Sequence, residues 1–283
     1  MKHSAPISTA ERLTPGVVGR FRSAVYRYHV QHGRSLPWRR TRDPYRILVS
    51  EIMLQQTQVE RVIAKYEQFI SAYPDFGSLA RAPLRKILRV WQGLGYNRRA
   101  LALQKVARSV SAAYGGMLPD SVERLRTLPG IGPASAGAIC AFAYNHPTVF
   151  IETNIRTVFL HVFFRGKEGV RDKDIIPLVE KTLDTRNPRR WYYALMDYGV
   201  MLKKAVLNPN RRSAHYQRQT RFEGSDREIR GLILRNLLES PSLPEEQLVE
   251  AVGRNPERVK NIIPQLVNEG FLSRNRNRLR IPS

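Results

Sequence analysis

Glu51 sits in the run Ser50-Glu-Ile-Met-Leu-Gln-Gln-Thr57, with Ile47, Leu48, Met53 and Leu54 close by on what reads as a mostly apolar helix. An unpaired ionised carboxylate in such a setting is costly, so its presence asks for a reason. Two readings stand side by side. One is a structural glutamate bonded to a helix N-terminus or paired with an arginine. The other is a carboxyl kept protonated near neutral pH, able to hold and donate a proton. A second piece of chemistry is offered by Leu128-Pro-Gly-Ile-Gly132. Two glycines around one apolar residue allow a tight turn whose backbone N–H groups can meet a phosphate at the start of the following helix, where the dipole favours an anion. Pro-Gly-x-Gly turns also occur as plain helix connectors. The single cysteine, Cys140, lies in the small-residue run from Ala134 to Ala143 and reads as a small buried hydrophobe rather than a reactive thiol. One cysteine supplies no intramolecular disulfide, no Cys-based zinc site and no cysteine-ligated iron–sulfur cluster, and it suits a reducing compartment.

The elements that must position these residues are helical. Val59, Val62, Ile63, Tyr66, Phe69, Ile70 and Tyr73 recur at steps of three and four, with Thr57 or Gln58 at the start and Pro74 beyond the end. Leu84, Ile87, Leu88 and Trp91 form a second apolar face behind Pro83, interrupted by Gly93 and Gly95. Residues 97–114 predict another helix that stops at Gly115 and Gly116. Asp120 with Glu123 resembles a capping box for a short helix ending at Leu128, so 128–132 joins two helices as a helix–hairpin–helix pattern. Residues 149–164 are rich in β-branched and aromatic side chains, yet their length and setting favour helix.

Over all 283 residues, 47 Lys and Arg face 24 Asp and Glu, a formal net charge of +23. With 42% hydrophobic residues the chain is no disordered polycation. No apolar run approaches the roughly 20 residues of a membrane helix, and the first residues contain no apolar stretch resembling a secretion signal. Such an excess of positive charge points to a polyanion, nucleic acid first. A polar, basic seam follows Leu207. Beyond it come three short helices, carried by Ile229–Leu237, Leu248–Val252 and Val259–Val267, and two short strands around an Asn/Arg turn within 271–281. That is the pattern of a winged helix, whose third helix can enter a major groove; a small packing or protein-interaction module fits it equally.

From about Gly33 to Met201 the sequence resembles the helix–hairpin–helix DNA glycosylases, and among them the MutY-type adenine glycosylases that act on mispaired adenine. The matching words are Leu-Pro-Trp-Arg at 36–39, Ser-Glu-Ile-Met-Leu-Gln-Gln-Thr-Gln-Val at 50–59, Gly-Leu-Gly-Tyr at 93–96, Leu-Pro-Gly-Ile-Gly at 128–132 and Ala-Leu-Met-Asp-Tyr-Gly at 194–199. The resemblance implies an all-α fold of two helical modules with a small C-terminal winged-helix-like α+β domain. Residues 1–210 would form the glycosylase domain, with a six-helix module at about 45–150 and a second module from 1–44 and 151–210. A basic linker at 211–225 and the winged-helix-like domain at 226–283 would follow.

The resemblance also implies roles. The family's catalytic glutamate falls on Glu51, which protonates a flipped base and makes it a better leaving group. The family's second carboxylate belongs to an Asp-Gly-Asn-Val word, where this chain has Glu152-Thr-Asn-Ile155. Glu152 is therefore the implied stabiliser of the cationic sugar, and Asn154 the asparagine that holds that site. The glutamate reaches one methylene further than an aspartate, and Thr153 replaces a flexible glycine. Gln56, flanked by Gln55 and Thr57, matches the residue wedged into the DNA stack, and Tyr96 the tyrosine beside the opposite base. Trp38, Arg39, Leu54 and Ala134 fall at the base pocket; core packing for Trp38 and Leu54, and a phosphate contact for Arg39, are the competing roles. Gly130, Ile131 and Gly132 of the hairpin, with Lys203, Lys204, Arg211 and Arg212, would meet the DNA backbone.

Three departures refine these expectations. Strand-cleaving relatives carry a Schiff-base lysine where this chain has Ala134, which implies base removal without efficient lyase activity. Most relatives hold an iron–sulfur cluster on four cysteines after the Met-Asp-x-Gly word, whereas Leu202 to Arg212 contains none. No cofactor is therefore expected, a monovalent cation at the hairpin being the one candidate ion. The domain that reads oxidised guanine in MutY-type enzymes is replaced by the smaller winged-helix-like module. The implied function is a monofunctional glycosylase of base excision repair that hydrolyses the N-glycosidic bond of a flipped mismatched base, adenine opposite guanine or oxoguanine first. Uracil, thymine or hypoxanthine in mispairs is the alternative, and a non-catalytic DNA-binding protein is the reading from another class. The implied partner is double-stranded DNA containing a mismatched or damaged base and no membrane, with the protein a cytoplasmic monomer, nucleoid-associated in a prokaryote.

Overall fold

The computed structural model describes residues 13–218 and 221–282. In chain order its helices are α1 (Pro15–His32), α2 (Pro44–Leu54), α3 (Val59–Ala72), α4 (Phe76–Arg81), α5 (Leu84–Trp91), α6 (Arg98–Ala113), α7 (Val122–Arg126), α8 (Pro133–Tyr144), α9 (Thr153–Phe163), α10 (Asp172–Thr182), α11 (Pro188–Ala205), α12 (Asp226–Glu239), α13 (Glu245–Val252) and α14 (Pro256–Asn268). Three short strands complete it: β1 (Leu243–Pro244), β2 (Ser273–Asn275) and β3 (Arg278–Arg280). The expected all-α fold with a small C-terminal sheet is what the chain adopts. No helix among the described residues is long and apolar enough to cross a membrane.

Two compact units share the chain. The first takes the chain up to Leu48, Asp120–Thr127 and Ile131–Arg218; the second takes Val49–Pro119, Leu128–Gly130 and the chain beyond Arg218. In the first unit α1 starts where Thr14 Oγ1 accepts from the Val17 N–H and Pro15 fits the first turn. Its buried face is Val17, Phe21 and Val25, at intervals of four. Phe21 meets Phe159 and Phe163 of α9 and Trp191 of α11 edge-to-face, at 5.7, 5.2 and 5.7 Å between ring centroids. The small residues of α8 are buried without interruption from Ala136 to Ala143. They let neighbours approach closely: a Cβ on Gly137 would lie 2.8 Å from that of Phe150.

In the second unit the apolar faces predicted for α3 and α5 come together, with Phe69 edge-to-face on Trp91 at 5.8 Å. The C-terminal helices and sheet belong to this same unit. The sheet is antiparallel in the order β1-β3-β2, with Leu243 and Arg274 both opposite Leu279. Arg85 of α5 donates to the carbonyls of Leu237 and Leu238, each at 2.7 Å, satisfying free acceptors at the end of α12.

Three local expectations change. The N-cap of α7 is Ser121, whose hydroxyl accepts from the Arg124 N–H at 3.3 Å, and not Asp120. Adjacent Asp and Ser are both good caps, and the Asp120 carbonyl is engaged elsewhere, by the Cys140 thiol at 3.3 Å. The helix predicted over 149–164 begins only at Thr153, because Glu152 caps it and leaves the preceding residues extended. β1 pairs only two residues and was not expected.

Candidate active site

The first unit builds one carboxylate site at the start of α9. Glu152 is its N-cap: Oε1 accepts from the backbone N–H groups of Asn154 and Ile155 at 2.7 and 2.8 Å. A carboxylate suits this place because it meets unsatisfied N–H groups and the positive end of the helix dipole. The amide of Asn154 then links two charges. Its Nδ2 donates to Glu152 Oε2 at 3.1 Å, while its Oδ1 accepts from Lys203 Nζ at 2.8 Å. Burial lowers the pKa of Lys203, and the Glu152 charge pulls it back up. Lys203 reaches Asn154 because α11 runs close to the start of α9. A Cβ on Gly199 would collide with the Asn154 backbone.

A second acidic centre lies on α11. Asp197 is buried and accepts from Arg34 Nε at 2.7 Å and Arg39 Nη1 at 2.8 Å, with His29 Nδ1 at 3.0 Å. Burial opposes ionisation, but the hydrogen bonds from His29 and Arg39 and the Arg39 charge outweigh it and hold the carboxyl far below the usual range. Arg39, expected at the base pocket, is thereby fixed, and its guanidinium also lies 4.5 Å from the centre of the Tyr193 ring. Trp38 beside it is buried. Sequence reasoning gave Asp197 no role of its own. The signal was available, an acid in the apolar stretch of α11, the same signal that singled out Glu51.

The second unit carries Glu51, half-buried on α2 beside the buried Ile52 and Met53, with Leu54 half-buried at the last position of that helix. Two loops follow with unusual backbones. Gln56 has φ +52° and Tyr96 φ +47°, a region that residues other than glycine adopt at a cost. One side chain holds both loops. Buried Arg99 of α6 donates through Nη1 to the carbonyls of Ile52 (3.1 Å), Met53 (2.7 Å) and Gln55, and through Nη2 to Leu94 O (3.2 Å), Gly95 O (3.0 Å) and Thr57 Oγ1 (2.9 Å). Burial lowers its pKa to about 10, which leaves it charged at neutral pH. Arg227, in the first turn of α12, donates to the Tyr96 hydroxyl at 2.7 Å. The structure thus brings Gln55, Gln56, Thr57 and Tyr96 together through Arg99, which sequence reasoning missed.

The hairpin is built as its glycines require. Gly130 has φ +77°, and a Cβ there would lie 2.9 Å from that of Ala102. Ile131 is buried as its anchor, Gly132 caps α8 and Ala134 is exposed in the first turn of that helix. Of the basic residues expected to meet phosphate, Lys204 and Arg211 are exposed. Arg212 turns inward and donates to Phe164 O at 2.6 Å and Leu160 O at 2.9 Å, at the end of α9. Asn210 Nδ2 donates to Thr157 Oγ1 at 2.6 Å. Amide and guanidinium groups hold this segment, and they do not fit an iron–sulfur cluster, which takes thiolates. Among the described residues no group of three or more His, Cys, Asp or Glu could hold a metal ion. Burial pushes the Cys140 thiol up to about 11.

Comparison with known proteins places this geometry in context. Residues 49–176 match the model of the HhH-GPD superfamily base excision DNA repair protein. The chain is 34% identical over 226 residues to an adenine DNA glycosylase of Mycolicibacterium smegmatis, covering 73% of this chain and 76% of that protein. It is 36% identical over 179 residues to the adenine DNA glycosylase of Buchnera aphidicola subsp. Baizongia pistaciae, and 34% identical over 203 residues to the human one. Those alignments cover 62% and 68% of this chain but span only 50% and 36% of the two relatives. Among solved structures, a thermostable thymine-DNA glycosylase superposes with a TM-score of 0.59 at 27% identity, over 65% of this chain and 86% of that one. An endonuclease III–DNA covalent intermediate shares the fold, with a TM-score of 0.53 at 20% identity over 67% of this chain and 86% of that one.

Proposed function

Because the chain belongs to the HhH-GPD superfamily of base excision DNA repair proteins, we propose that it is a monofunctional DNA glycosylase that removes adenine mispaired with guanine or oxoguanine from double-stranded DNA. In this reading Glu51 donates its proton to the departing base, and the glycosidic electron pair leaves with that base. The sugar is left cationic at C1′, where the ionised Glu152 offsets the charge. Water adds to C1′ and returns a proton to Glu51, so atoms and charge balance over the cycle. Asn154 and Lys203 keep the Glu152 carboxylate oriented. Gln56 fills the stack where the base was, and Tyr96 stacks beside the partner base. The hairpin at 128–132, with Lys204 and Arg211, meets the backbone, and Ala134 leaves no amine there to form a Schiff base. The protein works as a monomer in the cytoplasm, without a cofactor.

The observation that carries this reading is the Arg99 clamp. Two non-glycine residues with left-handed backbone, Gln56 and Tyr96, lie on loops that one buried guanidinium grips through Gln55, Thr57 and Gly95, and they are the two residues whose types and positions suit base flipping. A DNA-binding scaffold has no need of that strain. The 27% identity to a thymine-DNA glycosylase favours one second reading, a mispaired pyrimidine as substrate.

The test is a panel of duplexes with adenine, thymine, uracil or hypoxanthine opposite guanine, oxoguanine or cytosine, analysed with and without alkali. The expected result is breakage at adenine, only after alkali. Excision of a pyrimidine in its place selects the second reading, and breaks before alkali contradict monofunctional action.

A further inference from the structure

We propose that the arginine-lined cavity between the 39–42 segment and the start of α11 is a phosphate-binding site. The cavity measures about 260 Å³ and is lined by Arg39, Arg40, Thr41, Arg42, Arg189 and Arg190, with His29 and Tyr193 behind them. All of these residues belong to the first unit. Arg39 is shared with the expected base pocket, whereas Arg40, Thr41, Arg42, Arg189 and Arg190 have no part in base removal and carry the site whatever base the enzyme removes.

Five guanidinium groups around one space repel one another unless something negative lies between them. Among the described residues only Arg39 of these five has a carboxylate partner, Asp197, and that carboxylate is shared with Arg34 and His29. Arg40 donates to a neutral partner, Ser35 Oγ, at 2.8 and 3.1 Å. Arg190 lies over the Tyr26 ring at 5.3 Å. Arg189 donates through Nη2 to the Ala143 carbonyl at 3.0 Å, but its Nε is buried and has no hydrogen-bond partner among the described residues. Among those residues Arg42 makes no hydrogen bond or ion pair. Burial lowers the pKa of Arg189; the neighbouring Tyr193 opposes that and the Arg42 charge adds to it.

Two further features agree. Arg189 and Arg190 occupy the first turn of α11, which contains no acidic residue. Cations there oppose the helix dipole, whereas an anion beside them would be favoured by the dipole and by the arginines together. The volume is below the roughly 300–1,000 Å³ of pockets for drug-sized ligands, which suits one phosphate with a small substituent. Planar guanidinium forks match phosphate oxygens two at a time, and the Thr41 hydroxyl adds a neutral donor. The ligand chemistry is a phosphate group, carried either by a DNA strand or by a small molecule such as inorganic phosphate or a nucleoside monophosphate.

The experiment uses the full chain and the double variant Arg42→Ala/Arg190→Ala, whose side chains are exposed and outside the catalytic set. Lys173→Ala/Lys181→Ala, equally exposed on α10, is the charge-matched control. One arm measures melting temperature in inorganic phosphate and in chloride at equal ionic strength, and repeats it with adenosine monophosphate. The other measures the salt dependence of binding to an undamaged duplex. A phosphate-specific rise in melting temperature, present in the wild type and control and lost in the Arg variant, supports a small-molecule ligand. A salt slope reduced by about one to two in the Arg variant but not in the control supports a DNA phosphate, since each phosphate contact contributes about 0.9. If the Arg variant matches the control in both arms, the proposal is overturned.

Discussion

The Gln56–Tyr96 region and the Glu152 region hold their functional groups by opposite means. In the first, an unfavourable backbone is kept in place by a single buried cation that donates to main-chain carbonyls. In the second, the backbone is an ordinary helix start with an extended cap residue, and a chain of side chains from Lys203 through Asn154 to Glu152 fixes the orientation of a charge. The first arrangement stores conformation and the second stores polarity. The proposed roles match: inserting side chains into DNA would need shape that does not relax, and stabilising a cationic sugar would need a carboxylate that does not rotate away.

The comparison predicts different failures when each is broken. Arg99→Met should have the largest effect, a loss of about 3–5 kcal/mol of stability in denaturant unfolding, because it strands several buried carbonyl acceptors at once. DNA affinity should fall with it as the Gln56 and Tyr96 loops relax. A stable Arg99→Met protein with intact base flipping, read from 2-aminopurine fluorescence in the duplex, contradicts the clamp. Glu152→Gln should cost only about 1 kcal/mol of stability, since the amide oxygen can still cap α9 while its NH2 faces the Asn154 Nδ2 donor, and excision should fall on the order of 100-fold through loss of the charge. Equal losses of stability and activity would make Glu152 a cap and nothing more.

A smaller effect, graded with pH, belongs to Asp197. Its carboxyl has a lower pKa in the folded chain than the ordinary 3.8, so it contributes stability above that value and loses the contribution as pH falls below it toward the folded pKa. Unfolding free energy measured from pH 6 to pH 2 should therefore drop with a slope that Asp197→Asn flattens. An unchanged slope in that variant removes the Asp197 cluster from the acid response.

How much of this was legible in the sequence follows from the kind of partner each residue has. The helices α3 and α5 were visible because apolar side chains meet apolar side chains, and their spacing is written in the residue types. Glu51 was visible as a carboxylate in an apolar stretch. Asp197 carried the same signal and was read only as part of a longer word. Arg99 was not legible, because its partners are backbone carbonyls, which every residue has. The same holds for Lys203, read as part of a basic loop. Its inward turn depends on the close approach of α11 at Gly199. The Ser121 cap was ambiguous because two competent caps are adjacent, and β1 is too short to leave a pattern.

Removal of adenine by proton donation from Glu51 is the reaction proposed for this chain. The most direct test is single-turnover excision by wild type and Glu51→Gln on a duplex with one adenine opposite guanine, with free adenine and duplex affinity measured on the same samples. The wild type should release adenine, and the rate should fall about 10²–10⁴-fold in the variant at nearly unchanged affinity. Release of adenine by Glu51→Gln at the wild-type rate would contradict proton donation from Glu51.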